Sequence, residues 1–177
     1  PSGSPAAMPA RPARPTVIVF VKEPRPGRVK TRLARGVGRI EAARWYRAQA
    51  LAGLRRLAAD PRFEVVLAVS PDAEGLGSRV WPAALPRLAQ GRGDLGARMA
   101  RALRGPGAGP RRGLGLGLGR GSGLGLGLGR GGERGLGRWR GPVVLIGSDI
   151  PGATPGAIAR AFRALGGAQA VFGPATD

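Results

Sequence analysis

The sequence predicts an α/β fold in which helices cover both faces of a mainly parallel sheet. Short apolar runs rich in β-branched residues alternate along the chain with segments of helical periodicity. Such alternation is typical of parallel sheets, because two parallel strands must be joined by a long crossover, usually a helix. The chain has 177 residues, which is enough for one domain of this kind with a buried core.

Apolar runs predict four strands. Residues 16–21 (TVIVFV), 63–69 (FEVVLAV) and 143–146 (VVLI) are apolar throughout or nearly so, as expected of strands buried on both faces. A short last strand is predicted at residues 170–172. These strands supply the sheet of the predicted fold.

Three helices are predicted between the strands. Residues 39–59 carry apolar side chains at three- and four-residue steps along one face. Residues 94–103 form a short helix with Asp94 as its N-cap. Residues 154–165 begin with a capping threonine followed by a proline at the first helical position. The helices and strands therefore alternate.

Two segments depart from this pattern. Residues 1–15 repeat proline and have almost no large apolar side chains, which predicts a disordered leader. Residues 105–140 contain the octapeptide GLGLGLGR twice and have glycine at 16 of 36 positions. Ordered glycine costs conformational entropy and packs no side chain, so this segment is predicted to be a flexible insert. It would interrupt a single domain at residues 16–177.

Composition excludes several classes of chemistry. The chain has no cysteine and no histidine, which rules out disulfides, thiol catalysis and imidazole bases. Its 29 basic and 10 acidic residues give a net charge of +19, so we expect an acidic partner such as a phosphate-bearing small molecule or, non-specifically, nucleic acid. No apolar run approaches the roughly 18 residues of a membrane span, and a cytoplasmic protein is expected.

The loop after the first strand is predicted to bind phosphate. Residues 22–32 hold five basic side chains, including both lysines of the chain, Lys22 and Lys30. In parallel sheets, ligands bind at this end of a strand. A helix is expected to begin near Val29, with N-terminal amides that favour an anion. The Lys30-Thr31 pair is similar to half of a P-loop, but Val29 replaces the required glycine, which excludes that motif. A solvated basic loop is the alternative.

Asp149 is the candidate metal ligand. It follows the third predicted strand in the sequence Gly-Ser-Asp-Ile-Pro, at the same edge of the sheet as the Lys30 loop. A carboxylate facing several cations suggests a divalent metal that bridges it to a diphosphate. The alternative is a turn aspartate that accepts local amides. Asp72 is also expected to cap or turn the chain.

Three segments resemble one bacterial family. They are FVKEPRPGRVKTRLA (20–34), QGRGDLGARM (90–99) and VVLIGSDIPGATP (143–155), followed by VFGPATD (171–177). They look like the GT-A-fold glycosyltransferase-like proteins associated with arsenosugar biosynthesis. That family is similar to nucleotide-diphospho-sugar transferases and, more distantly, to 2-phospho-lactate guanylyltransferase.

The resemblance implies a fold, a donor and a metal. The fold would be a Rossmann-like three-layer α/β/α sandwich of the GT-A type, the donor a nucleotide or nucleotide-sugar, and the metal Mg²⁺ or Mn²⁺. Asp149 and Asp177 would bind the metal, since Asp177 matches the aspartate that begins the family's Asp-Gly-Gly segment. The chain ends at Asp177, so the terminal elements of the family are expected to be missing. The positions that would bind the nucleotide or its phosphates are Lys22, Gly27, Lys30, Thr31, Arg32 and Asp94.

The preferred hypothesis is a metal-dependent glycosyltransferase that moves a sugar from a nucleotide-sugar to a small-molecule acceptor. The same site could serve nucleotidyl transfer from a nucleoside triphosphate to a phosphorylated acceptor, and no residue decides between the two. The alternatives of another class are a basic nucleic-acid-binding protein and an inactive fragment. Few aromatic side chains lie among the basic residues, which disfavours base stacking.

Overall fold

A four-stranded parallel sheet forms the centre of the protein. The computed structural model describes residues 14–105, 139 and 141–171. Within these ranges the strands are β1 (Thr16–Lys22), β2 (Glu64–Ser70), β3 (Arg87–Ala89) and β4 (Val143–Gly147). Their order across the sheet is β3-β2-β1-β4, and every neighbouring pair is parallel. The predicted α/β fold with a parallel sheet is confirmed.

Helices connect the strands by crossovers. The helices of the described residues are α1 (Ala34–Val37), α2 (Arg39–Ala58), α3 (Asp72–Leu76), α4 (Leu95–Arg104) and α5 (Pro155–Leu165). The helices predicted at residues 39–59, 94–103 and 154–165 correspond to α2, α4 and α5. The predicted caps are present: Asp94 Oδ1 accepts the Ala97 N–H at 2.7 Å, and Thr154 Oγ1 accepts the Ala157 N–H at 3.2 Å.

The described residues form two apolar cores on opposite faces of the sheet. Alternate residues of β1 point to opposite faces, so Val19 joins one core and Ile18 the other. Helices α2 and α5 cover the first face through side chains such as Leu54 and Ile158. Helix α4 covers the second face, where Ala102 packs. The result is a Rossmann-like arrangement of three layers, with the strand ends free to form a site.

Two sequence predictions are wrong. No helix begins near Val29: that side chain is buried in the core, and Lys30 has a φ of +47°, which is incompatible with a right-handed helix. Helix α1 starts only at Ala34 and has four residues. The predicted last strand is also wrong at Ala170 and Val171, which belong to no strand, while residue 172 lies outside the described residues.

Strand β3 and helix α3 were not predicted from the sequence. With three and five residues they are too short to show a clear period. The predicted leader and insert fall almost wholly outside the described residues. Trp139, which the composition assigns to the insert, contacts the second core and donates its indole N–H to the Ala102 carbonyl at 2.8 Å. Nowhere in the described ranges is a helix both long and apolar enough to span a membrane.

Candidate functional site

All four strands end at one open cleft of about 540 Å³. Lys22 and Ser70 are the last residues of β1 and β2, Gln90 directly follows β3, and Asp149 lies in the loop after β4. The cleft therefore lies outside the carboxyl ends of the strands, where open parallel sheets bind their ligands. It is the candidate site of this protein.

The charge lining the cleft is positive. Four cationic side chains line it, from Lys22, Arg28, Lys30 and Arg98, and the acidic side chain among the described lining residues is Asp149. Because these four charges line one concave surface, their fields add at a ligand bound there. The lining suits an anion with several negative charges.

Lys30 faces Asp149 across the cleft. The preceding residue, Val29, is 5% exposed and fixes the loop in the apolar core. The Lys30 Nζ lies 2.5 Å from Asp149 Oδ2 and 5.4 Å from the centre of the Trp45 ring, within the range of a cation–π contact. Both charged side chains are partly exposed, so the pair contributes little to stability. The expected proximity of Asp149 to the Lys30 loop is confirmed.

The predicted site residues divide into three groups. Lys22, Lys30, Thr31 and Asp149 line the cleft. Three others do not belong to its lining: Gly27 makes a turn with a φ of +77°, Arg32 is exposed, and Asp94 caps α4. Asp177 lies outside the described residues. The ligand roles of all these residues stay predictions.

Gln90 and Arg98 also line the cleft; both lie in the family-like segment 90–99, but no role was predicted for either. The Gln90 side chain is buried, and its Nε2 donates to the Ala68 carbonyl at 2.8 Å and to the Val21 carbonyl at 3.3 Å. Its Oε1 is left to accept from Arg98 Nη1 at 3.1 Å. The Arg98 Nε donates to the Asp94 carbonyl at 3.3 Å, which fixes the guanidinium further. Their place in the segment 90–99 was the available signal.

Tyr46 and Ser148 form the other unpredicted part of the site. The Tyr46 hydroxyl accepts the Lys22 backbone N–H at 2.9 Å and lies 2.9 Å from Ser148 Oγ. The Ser148 N–H donates to the Phe20 carbonyl at 3.1 Å. Burial raises the pKa of Tyr46 above its usual value of 10.0, although its hydrogen bonds with Ser148 and Lys22 act in the opposite direction. The helical spacing of α2 predicts Tyr46 only as a core residue.

Comparisons with known proteins agree with this architecture. Residues 53–177 match the family described as uncharacterized protein conserved in bacteria (DUF2064). A crystal structure of a protein from Desulfovibrio desulfuricans G20, provisionally named a nucleotide-diphospho-sugar transferase, superposes with a TM-score of 0.58 at 27% identity. The match covers 86% of this chain and 55% of that one, so this chain spans little more than half of its neighbour's length. No curated protein matches.

Proposed function

The chain belongs to the DUF2064 family, and on that premise we propose that it is a metal-dependent glycosyltransferase that uses a nucleotide-sugar donor. The observation that carries the proposal is the contact between Lys30 and Asp149, which lie in the loops after β1 and β4, among three further cations. A nucleotide-sugar presents a diphosphate, which suits this lining. The provisional name of the structural neighbour supports the same class of transferase.

The side chains of the cleft would hold a divalent metal ion only together with the phosphates of the donor. The described residues contain no group of three or more acidic or other metal-binding side chains. Mg²⁺, however, is commonly held by one or two carboxylates together with substrate phosphates and water. Asp149 would supply one such carboxylate, and Asp177 is the proposed second. When bound, Mg²⁺ or Mn²⁺ would neutralise charge that develops on the leaving diphosphate.

The residues of the chain would act mainly by binding and charge stabilisation. An acceptor hydroxyl attacks the anomeric carbon, the bond from that carbon to the diphosphate oxygen breaks, and the hydroxyl proton is lost to solvent or to a base. Lys22 and Lys30 would stabilise the negative charge on the departing nucleoside diphosphate. Arg98, fixed by Gln90, offers further N–H donors to the same anion.

Titration calorimetry tests the proposal. A panel of nucleotide-sugars and nucleoside diphosphates is titrated into the protein with and without Mn²⁺. We expect Mn²⁺ to increase the affinity of the wild type and to have no such effect on Asp149→Asn. The matched control is Glu41→Gln, which removes another ion-paired carboxylate, that of Glu41 with Arg44, outside the cleft. This control is expected to keep the wild-type response.

Two results would overturn the proposal. The first is an affinity that ignores both the metal and Asp149→Asn and that falls with salt equally for every polyanion. The second is the nature of the product. Glycosyl transfer releases a nucleoside diphosphate, whereas release of pyrophosphate from a nucleoside triphosphate would assign nucleotidyl transfer instead.

A further inference from the structure

The hydrogen bonds around Tyr46 determine where its proton points. A backbone N–H can only donate, so the Tyr46 oxygen accepts from Lys22. The phenol has one proton of its own, and Ser148 Oγ lies 2.9 Å away. If the serine donated to the tyrosine, the phenolic proton would have no acceptor among the protein groups that the structure describes, on a residue that is only 5% exposed. An unpaired buried donor is costly, so Tyr46 donates to Ser148.

The direction of that bond frees the proton of Ser148. Ser148 Oγ accepts the phenolic proton of Tyr46, and the Ser148 backbone N–H donates to the Phe20 carbonyl. Among the described residues no protein group accepts the Ser148 hydroxyl proton. The residue is part of the cleft lining, beside Lys22 and Lys30. A hydroxyl that must donate, placed among cations, is suited to an anionic oxygen.

We propose that Ser148 is a binding residue that donates its hydroxyl proton to a phosphate oxygen of the bound nucleoside diphosphate, and that Tyr46 is the positioning residue that sets this direction. The inference rests on the proposed function, because it names a contact within the same site. The two residues are 102 positions apart, and the contact joins α2 to the residue that follows β4.

Binding of nucleoside diphosphates to paired variants tests the inference. We expect Ser148→Ala to lower the affinity of the preferred nucleoside diphosphate about tenfold, as for loss of a hydrogen bond to a charged acceptor. Ser148→Thr keeps the hydroxyl and is expected to stay within about threefold of the wild type. The matched control is Ser78→Ala, which removes a serine hydroxyl bonded to Glu23 outside the cleft lining, and it should bind as the wild type does.

A double-mutant cycle separates positioning from a purely structural role. We expect Tyr46→Phe to lower affinity nearly as much as Ser148→Ala, and the double variant to bind no more weakly than Ser148→Ala alone. Additive losses would show that Tyr46 acts independently of Ser148 and would overturn its positioning role. Unfolding midpoints of all variants are measured in parallel, so that binding is compared only between folded proteins.

The inference and the proposed function fail in different ways. If the wild type binds no nucleoside diphosphate, the proposed function fails and the inference fails with it. If the wild type binds and Ser148→Ala binds equally well, the inference alone is overturned. A Ser148→Thr variant as weak as Ser148→Ala would also contradict it, because the hydroxyl would then not be the group that matters.

Discussion

At the scale of single residues, the most unusual feature is the backbone of Lys30. Its φ of +47° lies in the left-handed region, which non-glycine residues adopt infrequently and at a cost of about 1 kcal/mol or more. The conformation directs the side chain toward Asp149 and the Trp45 ring. The partly exposed ion pair between Lys30 and Asp149 contributes too little stability to offset this conformational cost. The strained backbone is therefore consistent with a role for Lys30 in ligand binding.

Replacing Lys30 tests that role. We expect Lys30→Met to weaken nucleoside diphosphate binding by about tenfold at low salt, since it removes one charge from the anion's surroundings. Arg35→Met removes one positive charge from α1 without changing the cleft lining and should alter the affinity less than about twofold. Equal losses in the two variants, measured by calorimetry, would mean that only the net charge of the protein matters.

The burial of Tyr46 predicts that the stability of the protein depends on pH in the alkaline range. Tyr46 is the only tyrosine of the chain, so the near-ultraviolet absorbance of phenolate reports its ionisation alone. Its pKa is raised in the folded state above the value of 10.0, because burial disfavours the anion. The contribution of the protonated Tyr46 to the free energy of unfolding is thus complete below pH 10, and it is lost as the pH rises through the pKa of the folded state.

The measurement is the absorbance titration of native and denatured protein, with unfolding free energies of wild type and Tyr46→Phe over the same pH range. We expect the native midpoint to lie above the denatured one. The wild type should lose stability relative to Tyr46→Phe in alkali. Coincident midpoints would show that the phenol is not buried as described.

At the scale of secondary-structure elements, helices α2 and α3 contain glycines in opposite surroundings. A Cβ added at Gly53, in the interior of α2, would meet no atom within 4 Å. A Cβ added at Gly75, in α3, would overlap the Val69 side chain of β2. The absent side chain of Gly75 is therefore what lets α3 approach the sheet so closely.

The two glycines make a matched pair for alanine substitution. Gly53→Ala should stabilise the protein by about 0.5–1 kcal/mol, because alanine loses less backbone entropy in a helix. Gly75→Ala should destabilise it by about 1–3 kcal/mol, because α3 or β2 must shift. Urea unfolding measures both. Changes of the same sign would contradict the packing of α3 against β2.

At the scale of the whole molecule, the dominant property is a net charge of +19. Such a charge attracts nucleic acid without reading its sequence, by releasing counterions from the phosphates. We expect any affinity for single-stranded DNA to fall more than tenfold between about 50 and about 200 mM salt. Nucleoside diphosphates carry fewer charges, and their affinity should fall less over this range.

Fluorescence anisotropy with labelled DNA at several salt concentrations checks this expectation. Asp149→Asn and Lys30→Met should hardly change the DNA affinity, since each alters one charge among many. DNA binding that resists salt, prefers one sequence or depends on these two residues would instead identify the cleft as a nucleic-acid site.

The sequence by itself determined the elements whose signals are local. Periodicity and capping act within a few residues. For that reason the sequence predicts the apolar β-branched runs of β1, β2 and β4, the helical periodicity that extends over α2, and the caps at Asp94 and Thr154. The meeting of Lys30 and Asp149 was also predictable, since parallel strands end at one edge.

Only the tertiary structure decided the details of the cleft. Strand β3 has three residues and is extended through its pairing with β2, and this pairing brings Gln90 to the cleft. The burial of Val29, rather than helix propensity, determines the conformation of the Lys30 loop. Tyr46 reads as core from its spacing, yet its hydroxyl reaches Ser148 across 102 residues. These features depend on hydrogen bonds and packing between distant segments, and such contacts leave no period or local motif in the chain.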